Sequence, residues 1–233
     1  FAAVGDIDVP ALTKVLQARL ATWRMPADGA LPWVRVPRPL VPVAPERIVL
    51  RTPDKANANL LAALALPLND QHDDYAAMTV ANHIFGASGT GRLWMRIREK
   101  EGLSYDVRSG IDWANIELHS RLVLSAIFAP QNQARVERAL NEELQRSVTQ
   151  GFTAQELAEA KLGLLNLRKL GRAQDGVLAG ALANNLHLGR TFAVSQKVDE
   201  AIAALTLEQV NAAWRRQVDP SRIVFAWGGD FKP

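Results

Sequence analysis

A chain of 233 residues, 48% hydrophobic and 22% charged, is long enough and apolar enough to bury a sizeable core, which excludes wholesale disorder. Its 27 basic and 24 acidic side chains leave a net charge of only +3, too mild a surplus to argue for nucleic acid. Cysteine is absent, which removes disulfides, thiolate metal sites and cysteine nucleophiles, and no apolar run approaches the roughly 20 residues of a membrane helix.

The opening "FAAVG" predicts a short buried strand closed by Gly5 and Asp6. It has no initiator methionine, basic leader or cleavage site, so it reads as the interior of a longer protein, a fragment or a processed product. Asp8 is placed to cap a helix with Pro10 in its first turn and Leu12, Val15, Leu16 and Leu20 on one face. Residues 25–45 form a connection inside the domain. The six prolines from Pro26 to Pro45 favour an extended, semi-rigid surface strap over helix.

"RIVLRT" alternates like a half-exposed strand. "NLLAALALPL" is an apolar run of strand length suited to a sheet covered on both sides, and a short buried helix is open to it as well. "DDYAAMTVANHIFG" predicts a helix ending at Gly86, and after "GASGTG" a second helix carries Leu93 and Ile97 until Gly102 stops it. "YDVRSGIDWA" and "ELHSRLVLSAIFA", joined by a turn near Asn115, predict an antiparallel hairpin. The remainder is mostly helical. "NQARVERALNEELQRSV" is amphipathic, Thr153 with Glu156 makes a capping-box signature before a long helical segment reaching toward Gly189, and Thr206 with Gln209 starts another helix. "RIVFAW" closes the chain as a strand. "FAAVGDID" at its start resembles "FAWGGDFK" at its end, as if both lay at equivalent points of a repeated unit whose preceding copy is missing.

The chemistry is sparse. None of His72, His83, His119 and His187 has a second histidine three to five positions away, and neither H-E-x-x-H nor H-x-x-E-H occurs, so no metal site is expected. The glycines from Gly86 to Gly91 have P-loop spacing, but Arg92 and Leu93 replace the lysine and hydroxyl and the loop follows a helix; a sharp meeting of two helices explains them better. No G-x-S-x-G elbow is present. Arg92, Arg96 and Lys100 share a helical face and read as a solvated basic stripe. That leaves Arg98, in the last turn of its helix, and Tyr105, seven positions on at the start of a strand. So tight a joint could aim guanidinium and phenol at one point: arginine gripping a peptide carbonyl or carboxylate, tyrosine donating to a developing oxyanion. Taken alone, an exposed arginine and a half-buried tyrosine are ordinary residues.

"GRLWMRIREKEGLSYDVRSG" closely resembles a segment of the pitrilysin/insulinase family of zinc metallopeptidases that runs S-R-L-F-x-x-[LIV]-R-E-K-x-G-L-x-Y-x-V. "AVGDID", "DDYAAMTVANHIFGAS" and "GFTAQELAEAKLGLL" fall in the same order and spacing, so the resemblance covers nearly the whole chain. Trp94 stands where that family usually has phenylalanine, and Gly91 where it usually has serine. The likeness is to the C-terminal domain of a family half, of the mitochondrial-processing-peptidase kind, and not to the zinc-bearing domain. It implies an α+β fold, an antiparallel or mixed sheet packed against several helices, with residues 1–233 as a single repeat unit. It also implies that Arg98 and Tyr105 bind substrate and assist catalysis in trans to a zinc held by another domain or subunit, on peptides or unfolded segments. The chain alone is then expected to be inactive and to need no cofactor of its own. The alternative is a scaffold or assembly subunit of the same fold without chemistry. Similar bacterial proteins are often exported, which makes the periplasm the expected location and the cytoplasm the alternative; neither nucleic acid nor a membrane span is expected.

Overall fold

Two hydrophobic periodicities divide the chain into one sheet and the helices that cover it. The computed structural model describes residues 1–24 and 35–232. Its elements run α1 (Val9–Arg19), β1 (Arg47–Arg51), β2 (Ala58–Leu66), α2 (Tyr75–Asn82), β3 (Ser104–Asp112), β4 (Ser120–Phe128), α3 (Gln133–Thr149), α4 (Ala154–Gly171), α5 (Asp175–Leu188), α6 (Phe192–Ala204), α7 (Leu207–Gln217) and β5 (Val224–Gly229). Two π-helical stretches, His83–Ala87 and Trp94–Lys100, lie between α2 and β3. The sheet order is β1-β5-β2-β4-β3, with β1 and β5 parallel and every other pair antiparallel, so the fold is α+β with a mixed sheet.

Burial along β2 alternates. Ala58, Leu60, Ala62, Leu64 and Leu66 are buried while Leu61 is exposed. The expected cover on both sides is therefore corrected to one side, because alternate side chains of a strand point to opposite faces. On the covered side these residues meet Val107, Leu122, Leu124, Phe128 and Trp227 in one continuous core with Phe85, Ile97, Leu140 and Trp214 from the helical segments. Full burial of each such side chain contributes roughly 1.5–3 kcal/mol.

The hairpin of β3 and β4 forms as the alternation predicts. Both capping boxes form too, Thr153 with Glu156 at α4 and Thr206 with Gln209 at α7. Asp8 caps α1 by accepting from the Ala11 amide. Other expectations need correction. Residues 1–4 are neither a strand nor buried, since a lone strand has no ladder to join. On the predicted apolar face of α1, Leu12, Leu16 and Leu20 are half-buried and Val15 is exposed. The long helical segment toward Gly189 breaks into α4 and α5, and Gly189 ends α5 in the left-handed conformation. Within the proline-rich connection, residues 35–45 form neither helix nor strand, and Leu40, Val41 and Val43 share a cavity with Ala63 and Ala65 of β2. Residues 25–34, including Pro26 and Pro32, lie outside the described residues.

Glycine lets the two π-helical stretches approach. A Cβ on Gly91 would stand 2.9 Å from the Gly86 Cα, and one on Gly86 would stand 2.8 Å from Ser109 Oγ and 2.9 Å from Leu93 Cδ1. Ser109 is fixed there by donating to Asn82 Oδ1 at 2.7 Å. Gly86→Ala is expected to destabilise the chain by about 1–3 kcal/mol through overpacking. A urea midpoint equal to that of the unsubstituted chain would contradict this.

Candidate functional site

Arg98 and Tyr105 both sit on local irregularities, and these place them side by side. Arg98 belongs to the π-helical stretch Trp94–Lys100, whose wider turn breaks the 3.6-residue period. After Glu101, Gly102 turns the chain at φ +59°, a conformation glycine adopts without a Cβ penalty. The Gly102 amide donates to the Arg98 carbonyl at 3.1 Å and the Leu103 amide to the Ile97 carbonyl at 2.9 Å, closing the helix end.

The strand that follows opens on a bulge. Ser104 pairs with Phe128 and Asp106 with Ile127, which leaves Tyr105 as the extra residue. The Ser104 hydroxyl lies 2.6 Å from the Asp106 carbonyl and 2.7 Å from the Ile127 carbonyl, bracing the bulge. A bulge re-aims the side chain it carries. Tyr105 is 78% exposed, which corrects the half-buried tyrosine expected from sequence. Arg98 is the more sheltered of the two. Its guanidinium carbon lies 4.0 Å from the Trp94 ring centroid and 5.9 Å from that of Tyr105. Arg108, from β3, also stacks on Trp94 at 4.0 Å and gives its Nε to Asp106 at 3.0 Å. Sequence reasoning missed Arg108 because its distance from Trp94 along the chain gives no periodic signal.

The basic stripe is corrected in the same region. Arg92 makes a two-pronged pair with Glu156, at 2.6 and 2.8 Å, and donates to the Gly151 carbonyl at 2.9 Å. Arg96 lies among Glu101, Glu142 and Glu143. Burial works against its charge, but hydrogen bonds to those three carboxylates outweigh it and hold its pKa above the ordinary guanidinium range. These pairs fasten the Arg98-bearing segment to α3 and α4, so Arg92 and Arg96 are structural cations; Lys100 of the expected stripe is exposed, and Arg98 and Arg108 are partly open to solvent beside it.

Carboxylates of this kind make the fold sensitive to acid. Burial alone would raise the Glu156 carboxyl, but Arg92 and Thr153 outweigh it and hold it below the usual range; Arg216 and Gln217 do the same for Asp74. Burial pushes the His83 imidazole below its ordinary value. Each group titrates lower when folded than when unfolded, so its stabilisation is complete above the unfolded value and lost as pH falls toward the folded one. The thermal midpoint is expected to hold steady above about pH 7, decline below about pH 6.5 as His83 is driven to protonate, and fall more steeply below about pH 4. A midpoint unchanged between pH 7 and pH 3 would refute this.

No cluster of three or more His, Cys, Asp or Glu side chains that could hold a metal ion occurs among the described residues, so the donor set of these residues does not fit zinc. No helix among them is long and apolar enough to cross a membrane.

Residues 1–164 match a family model described as the peptidase M16 inactive domain. Among solved structures, the chain is similar to a peptidase M16 inactive domain from Pseudomonas fluorescens, with a TM-score of 0.79 and 20% identity over 99% of this chain and 53% of that one. It is similar to a protease from Helicobacter pylori, with a TM-score of 0.78 and 13% identity over 99% of this chain and 54% of that one. A third similar structure is the periplasmic protease PqqL from Escherichia coli, with a TM-score of 0.65 and 17% identity over 96% of this chain and 24% of that one. At such identities the likeness speaks for the fold, and the chain spans about half the length of the first two. No curated protein matches it.

Proposed function

The chain belongs to the peptidase M16 inactive-domain family, and from that premise we propose that residues 1–233 act as one substrate-binding, transition-state-assisting domain of a zinc-dependent peptidase. The observation that carries this reading is the joint of π-helix and bulge that sets the Arg98 guanidinium 5.9 Å from the Tyr105 ring, with both side chains open to solvent. Arg98 grips a carbonyl or carboxylate of a peptide or unfolded segment through its planar N–H groups. Tyr105 donates its hydroxyl to the oxygen on which negative charge gathers as the peptide bond is attacked. The zinc chemistry belongs to a partner half, on the same polypeptide or a separate subunit. An exported location is part of the same proposal, supported only by the likeness to a periplasmic protease.

The test mixes the chain with a zinc-bearing half of the same family from its own genome and follows cleavage of a quenched peptide. Cleavage in the mixture, and by neither half alone, is the expected result. Halves that bind one another without cutting any peptide would make the domain a scaffold or assembly subunit. Zinc-dependent cleavage by the chain alone would overturn the reading.

A further inference from the structure

Two arginines share one indole at this site, which a single gripping residue does not require. The guanidinium carbons of Arg98 and Arg108 each lie 4.0 Å from the Trp94 ring centroid, so they are no more than about 8 Å apart, within one Debye length at physiological salt. Like charges held this close repel unless anions offset them, and local pairing is thin. Arg108 gives only its Nε to Asp106, at 3.0 Å, and Arg98 has only Glu99, at 4.0 Å and half exposed. Among the described residues, the terminal amino groups of both arginines have no hydrogen-bond acceptor. Their side chains are 39% and 38% exposed. A guanidinium stacked on an aromatic face keeps its N–H edge free for an in-plane carboxylate.

We propose that Arg98 and Arg108, gathered on Trp94 beside Tyr105, form a two-cation seat for a carboxylate side chain, so that the domain selects peptides with an acidic residue at this point. The inference rests on the peptide-binding reading above and names its substrate class. Arg108 is the specificity-determining residue, oriented by Asp106. Arg98 serves both the general grip and the selection. Trp94 is the platform, with a broader face than a phenylalanine at its position would offer.

The experiment uses two labelled decapeptides that differ only in a central Glu or Gln, titrated by fluorescence anisotropy against the full 233-residue chain and its Arg108→Gln variant. The Glu peptide is expected to bind at least about fivefold more tightly in dilute buffer. That advantage should shrink as salt rises from about 0.05 to 0.5 M. Arg108→Gln should abolish it, bringing the affinities for the two peptides together. Equal affinities for the two peptides, or a preference that survives Arg108→Gln, would overturn the seat and leave the peptide-binding reading standing. Failure of both peptides to bind would remove both readings.

Discussion

Arg98→Ala and Tyr105→Phe are each expected to lower peptide cleavage by the reconstituted pair of halves at least tenfold, and by up to about 10²–10³-fold if the lost group serves only the transition state. On a barrier scale this spans roughly 1.4–4 kcal/mol. The two losses should differ in kind. On the proposed reading Arg98 would grip the peptide before and during reaction, so its removal should raise KM as well as lower kcat/KM. On the same reading the Tyr105 hydroxyl would be needed most where charge develops, so Tyr105→Phe should reduce kcat and leave KM nearly unchanged. Neither change should unfold the domain, because Tyr105 is 78% exposed and its hydroxyl makes no hydrogen bond among the described residues, while the Arg98 side chain is 39% exposed with only Glu99 near it, at 4.0 Å. Unaltered rates for both variants in an active mixture would show that the pair is present without being used.

Trp214→Ala should cost about 3–5 kcal/mol of stability. Trp214 is fully buried on α7, lies 5.3 Å from the Phe85 ring and 5.7 Å from the Phe152 ring, and donates its indole N–H to Ser147 Oγ at 2.9 Å. Truncation opens a cavity where α7, the His83–Ala87 stretch and the start of α4 converge. The Ser147 hydroxyl keeps one partner, because it also donates to the Leu144 carbonyl at 2.7 Å. Against a typical total of 5–15 kcal/mol, a loss of this size leaves a marginal fold. Guanidinium denaturation read by far-UV circular dichroism measures it, and a loss below about 1 kcal/mol would mean that the neighbouring rings close the gap.

Much of the fold was legible because its signals are local. Thr153 with Glu156 and Thr206 with Gln209 announce helices through hydrogen bonds made three residues apart, and Asp8 announces α1 in the same way. The β3–β4 hairpin follows from alternation and a short connection. What escaped depends on distant partners. The parallel pairing of β1 with β5 joins Arg47–Arg51 to residues 225–229, far away in sequence, and no periodicity encodes it. "FAAVG" has strand composition but pairs with no strand among the described residues, and the apolar stripe of α1 is only half-covered among them. Arg92 and Arg96 looked like surface charge because Glu156 and Glu143 lie far away in sequence. For the site, the resemblance singled out Arg98 and Tyr105 by number. The π-turn and the bulge that orient them were invisible, since each is a one-residue departure from a regular period. The Trp94–Arg108 contact was equally hidden.

A π-helical turn is a helix carrying one residue more than an α-turn needs. Deleting a single residue upstream of Arg98 within Trp94–Lys100 would let the stretch rewind as α-helix with all its backbone bonds intact. Arg98, then three positions after Trp94, would still share its face, because residues three and four apart are neighbours on an α-helix. The wide turn thus takes up an extra residue without moving the arginine off its indole, so the count of residues between Trp94 and Arg98 can change by one while their contact is kept.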